Sequence, residues 1–96
     1  MKIKLTKVKI IRDGNTIVFR TCHAHEVPVM KAIHGRENVH IVEQDKSEIA
    51  TAEVESVERE VERMETNYTD DLLTTVLGVD YAGAIAKSLA DNTSKK

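Results

Sequence analysis

Residues 22–45, CHAHEVPVMKAIHGRENVHIVEQD, decide the fold, and they hold all four histidines, the only cysteine, the only proline and one of the four glycines. The stretch reads as strand end, short helix and strand. Pro28 suits a first helical turn, where its missing N–H forfeits no bond. Val29, Met30 and Ile33 make one narrow apolar stripe, Gly35 sits where a left-handed cap is wanted, and His34 falls in the last turn. Val39-His40-Ile41-Val42 reads as a strand entered through Gly35-Arg36-Glu37-Asn38, so a third strand is expected over 38–43. A helix of two turns survives only by packing against a sheet.

Upstream, apolar residues alternate with lysines but change phase: Ile3 and Leu5 are odd, Val8 and Ile10 even. A strand has a side-chain period of two, so a bulge or bend is expected near Thr6-Lys7. Arg12-Asp13-Gly14-Asn15 is a hairpin signal between two β-rich runs, and Thr16 to His23 alternates as the second strand, with Phe19 read as core.

Downstream of Ser47 the period changes. Ala50, Val54, Val57, Val61 and Met64 recur at heptad spacing among glutamates, which predicts one acidic helix capped by Ser47 or Thr51 and ended at Asn67. Glu55 and Arg59 form a favourable pair within it. Thr69 with Asp70 and Asp71 opens a second helix through Leu72, Leu73, Val76 and Leu77 to Gly78. Asp80 caps a third from Tyr81 to about Ala90, with Tyr81, Ile85 and Leu89 as its stripe and Ala82, Gly83, Ala84 and Ala86 allowing close approach of another backbone. Asp91 to Lys96 is a polar tail.

The expected class is α+β: a small bent sheet or partial barrel made of hairpin, short helix and third strand, followed by helical arms. Three units follow: a β-rich head at 1–45, an acidic helix at 46–67, and two short helices with a tail at 68–96. Only one Phe and two Tyr serve the core. A chain of this size buries about 60–65% of its unfolded surface. The apolar seams of thin helices therefore point to a protein partner or self-assembly through Val54, Val57, Val61, Met64, Leu72, Leu73, Val76, Leu77, Ile85 and Leu89.

Charge is polarised beneath a net of −2. Residues 1–36 carry eight Lys/Arg against two acids, residues 37–71 three against twelve, and residues 72–96 three against two. Complementary halves favour head-to-tail pairing of copies. Lys2, Lys4, Lys7, Lys9, Arg12 and Arg20 also form a stripe that suits nucleic-acid phosphates, the second functional reading. A single cysteine excludes an internal disulfide framework. No apolar run long enough for a signal peptide or a span of ~20 residues is present, so a cytoplasmic or virion location is expected.

Cys22, His23, His25, Glu26, His34 and His40 are ligand types, and Cys22, His23, His25 and His34 are the metal candidates. No CxxC or HxxxH pair joins them, so no metal or cofactor is expected. Cys22 and His23, adjacent on a strand, point to opposite faces and make no nucleophile–base pair; no enzyme is expected.

The segment HEVPVMKAIHGRENV, between two strands and ahead of a charged helical arm, resembles small proteins encoded by tailed bacteriophages over residues 20–45. The resemblance implies a minor virion or assembly component. It assigns no functional residue.

Overall fold

The computed structural model describes residues 1–13 and 15–93. The phase change in the first lysine-rich run is a real break. Strand β1 (Lys2–Lys4) ends at Leu5, and β2 (Thr6–Arg12) continues in a different sheet. β2 pairs antiparallel with β3 (Thr16–Cys22), Ile10 opposite Val18, and on its other side with β4 (Val39–Ile41), Ile10 opposite Val39. The three-stranded order is β3-β2-β4, with β3 at an edge. The hairpin is therefore as expected, with Asp13 at φ 52°; Gly14 lies outside the described residues.

Helix α1 (Val27–His34) carries Pro28 in its first turn and stops at Gly35, whose φ of 99° is a conformation that side chains beyond glycine rarely adopt. It is the pivot of two cores. Val27 and Met30 pack with Val8, Ile10, Cys22 and Val39 beneath the three-stranded sheet. Val29 instead joins Ile3, Val54, Met64, Leu73, Ile85 and Leu89. Ile33, expected on the buried stripe, is exposed, because Val27 turns inward one residue before Pro28 and shifts the stripe toward the start of the helix.

The acidic helix is shorter than its heptad pattern predicts. Thr51–Glu53 is a strand, β5, antiparallel to β1 with Ile3 opposite Ala52. Helix α2 runs over Val57–Asn67 and is capped by Ser56, whose Oγ accepts from Arg59 N at 3.2 Å. Ser47 and Thr51 are not caps, and Ala50 and Val54 are not on the helix. Pairing with β1 supplies hydrogen bonds that outweigh the helical periodicity of this short stretch. Glu55 and Arg59 still pair at 3.0 Å, but Glu55 precedes the helix.

Helix α3 (Asp70–Leu77) is capped by Thr69 and closed at Gly78; α4 (Tyr81–Asp91) is capped by Asp80, whose Oδ1 accepts from Gly83 N at 3.2 Å. The space above Gly83 is taken by that Asp80 carboxylate, not by another backbone. Ser94 to Lys96 of the polar tail lie outside the described residues.

The class is α+β, with two small open antiparallel sheets and the long helices C-terminal. Among the described residues both sheets stay open, the small-sheet form of the expected class. The division at residue 45 does not hold, since β1 pairs with β5 and Ile3 shares a core with α2, α3 and α4. All ten residues expected to meet a partner (Val54, Val57, Val61, Met64, Leu72, Leu73, Val76, Leu77, Ile85, Leu89) line this chain's own core. The helices fold back as a layer, because their seams find Ile3 and Val29 within the chain. Among the described residues, no single helix is long and apolar enough to cross a membrane.

Met64 is fully buried where α2 meets the other elements. Met64→Ala is expected to cost about 2–5 kcal/mol. A domain of this length holds roughly 5–15 kcal/mol in total. Urea unfolding followed by circular dichroism should show the midpoint falling sharply. A loss below about 1 kcal/mol would mean that this side chain is not in the core.

Candidate functional site

Between Cys22 and α1 the chain makes one 3₁₀ turn, Ala24–Glu26, which turns His23, His25 and Glu26 toward α2. All three are buried, as is Glu60 on α2. Glu60 lies on the stripe of Val57, Val61 and Met64, so the helix delivers a carboxylate into its own apolar face. Arg63, three residues on, covers it: Nε donates to Oε1 at 2.9 Å and Nη2 to Oε2 at 2.7 Å. His25 Nε2 lies 2.5 Å from Glu60 Oε2, and its Nδ1 lies 3.1 Å from Ser88 Oγ on α4. An ionised carboxylate only accepts, so His25 Nε2 carries a proton.

Glu26 forms the second half. Its Oε1 accepts from His23 N at 3.1 Å, its Oε2 from the Tyr68 hydroxyl at 3.1 Å, and Arg63 Nη2 lies 3.1 Å from Oε1. One guanidinium thus bridges two buried carboxylates. His23 is different. Its ring stacks on His25 with centroids 5.1 Å apart, its Nε2 stops 3.9 Å from Glu60 Oε2, and its Nδ1 is buried without a partner.

Burial alone would raise the Glu60 carboxyl, but hydrogen bonds from Arg63 and His25 outweigh it and hold the group down at about 2. The Glu60 bond raises Arg63 further. Burial lowers His23, against the pull of Glu60. Burial, then the charge of Glu26, push the Cys22 thiol up to about 11. A thiol held that high is no nucleophile at neutral pH.

A cavity of about 520 Å³ opens over this cluster, lined by Leu5, Cys22, His23, Glu26, Glu60 and Arg63 among others. Of the metal candidates, the structure brings together only His23 and His25, and adds Glu60. Cys22 lines the cavity but packs in the core under the three-stranded sheet. His34 ends α1, and His40 lies exposed on β4.

The second distinctive surface is the outer face of the three-stranded sheet. The register places Phe19, Lys9 and His40 in one row, Ile17 and Ile11 in the next, and Thr21 and Lys7 on the other side. Phe19, expected in the core, is 56% exposed, and Ile17 is 52% exposed. The core took the even-numbered face of β2, and with it Val18 and Cys22, which leaves Phe19 outside. The basic stripe is divided as well. Lys7 and Lys9 share the outer face, Arg12 and Arg20 have the opposite parity, and Lys2 and Lys4 lie on the other sheet.

Comparison with known proteins adds no relative: no protein-family model, curated protein or solved structure matches the chain.

The Glu60 value of about 2, against an ordinary 4.5, gives a signed expectation. A depressed carboxyl stabilises the fold fully above 4.5, and that contribution is lost as pH falls toward 2. Its size is on the order of 3 kcal/mol at 1.36 kcal/mol per unit. Glu60→Gln should therefore flatten the acid limb of a stability-against-pH curve measured by urea unfolding. A limb as steep as that of the unsubstituted chain would assign it to other carboxylates.

Proposed function

We propose that the chain is a non-enzymatic structural or adaptor subunit that assembles with further copies of itself through the outer face of β3-β2-β4. One observation carries this reading: Ile17 and Phe19 stand more than half exposed on an edge strand, with Ile11 beside them and Lys7 and Lys9 on the same face. Apolar groups ringed by cations suit a protein surface of opposite charge. The chain carries such a surface. Glu58, Glu62 and Glu65 are exposed on α2 at helical spacing, along one flank of its buried stripe. The resemblance of residues 20–45 to small tailed-bacteriophage proteins suggests a minor virion or assembly component as the setting. The helical seams, being filled internally, are not the contact.

A second reading rests on the same aromatic. Lys7 Nζ lies 5.3 Å from the centre of the exposed Phe19 ring. An aromatic beside cations on an open sheet is what stacking and phosphate contact with single-stranded nucleic acid require.

Light scattering across concentration separates the two. Self-assembly predicts a discrete oligomer that dissociates in high salt, is lost in Phe19→Glu with helicity unchanged, and is lost in Lys7→Glu/Lys9→Glu. Adding Glu58→Lys/Glu62→Lys to the lysine pair should restore it. A monomer at every concentration would sink this reading. Steeply salt-dependent binding of a labelled single-stranded oligonucleotide by that monomer, abolished by Phe19→Ala, would establish the other.

A further inference from the structure

The cluster under the cavity has one member whose ring nitrogens the fold leaves unbonded. His23 is 8% exposed, its Nδ1 is buried without a partner, and its Nε2 makes no hydrogen bond. A buried polar group left unpaired costs about 1–3 kcal/mol. A buried imidazole with neither nitrogen bonded calls for an explanation, and the groups facing its Nε2 supply one.

From these contacts we propose that His23, His25 and Glu60 form a three-ligand site for a divalent first-row transition ion, Zn²⁺ fitting best, with the remaining position facing the cavity. One ligand atom from each of the three lies within 4.8 Å of the others. Tetrahedral zinc, with ligands at about 2.0–2.2 Å, sets its donor atoms roughly 3.3–3.5 Å apart. The 3.9 Å from His23 Nε2 to Glu60 Oε2 is close to that spacing, and the 2.5 Å from His25 Nε2 opens by about an ångström once the ion replaces the shared proton. Two imidazoles and one carboxylate are a borderline donor set, which favours zinc and its neighbours over calcium or magnesium.

The surroundings agree. Ser88 already holds His25 Nδ1, the outer hydrogen bond that orients a metal-bound histidine. Arg63 donates to both Glu60 oxygens and holds the carboxylate in place, with Oε2, the oxygen nearest both imidazoles, as the donor to the ion. Glu26 and Glu60 outnumber the one guanidinium between them, so a cation enters a site with an excess negative charge. The ion joins the 23–26 turn to α2, and its open position, lined also by Arg59 and Arg63, takes water or an anionic oxygen donor.

The test uses the full chain without a histidine tag, stripped with chelator and titrated with Zn²⁺ against a chromogenic competitor. One ion per chain is expected. His23→Gln should weaken binding by about 100-fold or more. His40→Ala, on the outer sheet face, should not change it. His23 makes no side-chain hydrogen bond, so this variant is expected to keep the far-UV spectrum of the parent. Should it unfold, histidine-selective NMR of the unsubstituted chain decides: Zn²⁺ must move the ring nitrogens of His23 and His25 and leave those of His34 and His40. No binding by the parent, unchanged binding by a folded His23→Gln, or zinc shifts at His34 or His40 instead would overturn the site.

Discussion

A carboxylate buried on the inner stripe of a helix is the constraint around which the rest is arranged. Taking Glu60 out of water carries a penalty of several kcal/mol unless its oxygens are paired. Arg63 pairs it from within α2, and His25 pairs it from the turn before α1. His25 in turn reaches Ser88, so a single charge fixes α2, the 23–26 turn and α4 relative to one another. Glu26 and Tyr68 extend the same network. The apolar contacts stabilise the layer as a whole, while the charge dictates how its elements face one another.

The second organising feature is α1, which sends Val29 into one core and Val27 and Met30 into the other. The molecule is a plate, with extents of 38 × 36 × 17 Å. A plate that thin has no single deep interior, and this helix contributes side chains to both cores. The short helix thus depends on both, as its length requires.

Local punctuation was readable from the residues alone. Pro28, Gly35, Thr69, Gly78 and Asp80 each stand where a cap or stop is found, and the phase slip after Leu5 marked the break between two strands. What was hidden is tertiary. Thr51-Ala52-Glu53 has no strand signature of its own, and it becomes a strand because Ile3 lies opposite. Ala50 and Val54 matched a heptad by coincidence. Phe19 went to the surface because the parity of the sheet is set by Val8 and Ile10, a choice no single strand can reveal. The site was half legible. His23 and His25 stand among the four metal candidates by residue type alone, but Glu60 is one of many glutamates on an acidic helix. The signal was present: position 60 falls on the stripe of Val57, Val61 and Met64, and an arginine follows three residues later.

The outer sheet face and the glutamate row of α2 belong to different elements, and this has a geometric consequence. If two copies engaged both pairs of surfaces at once, a two-fold axis would relate them and the assembly would close as a dimer. If each copy only offered one surface and received on the other, the contact would be heterologous and every added copy would leave a fresh surface open. Growth stops only if the rotation from one copy to the next divides a full turn, which makes a ring; any other angle makes a helical filament. The angle between one sheet face and one helix face would then decide whether such copies count themselves or run on.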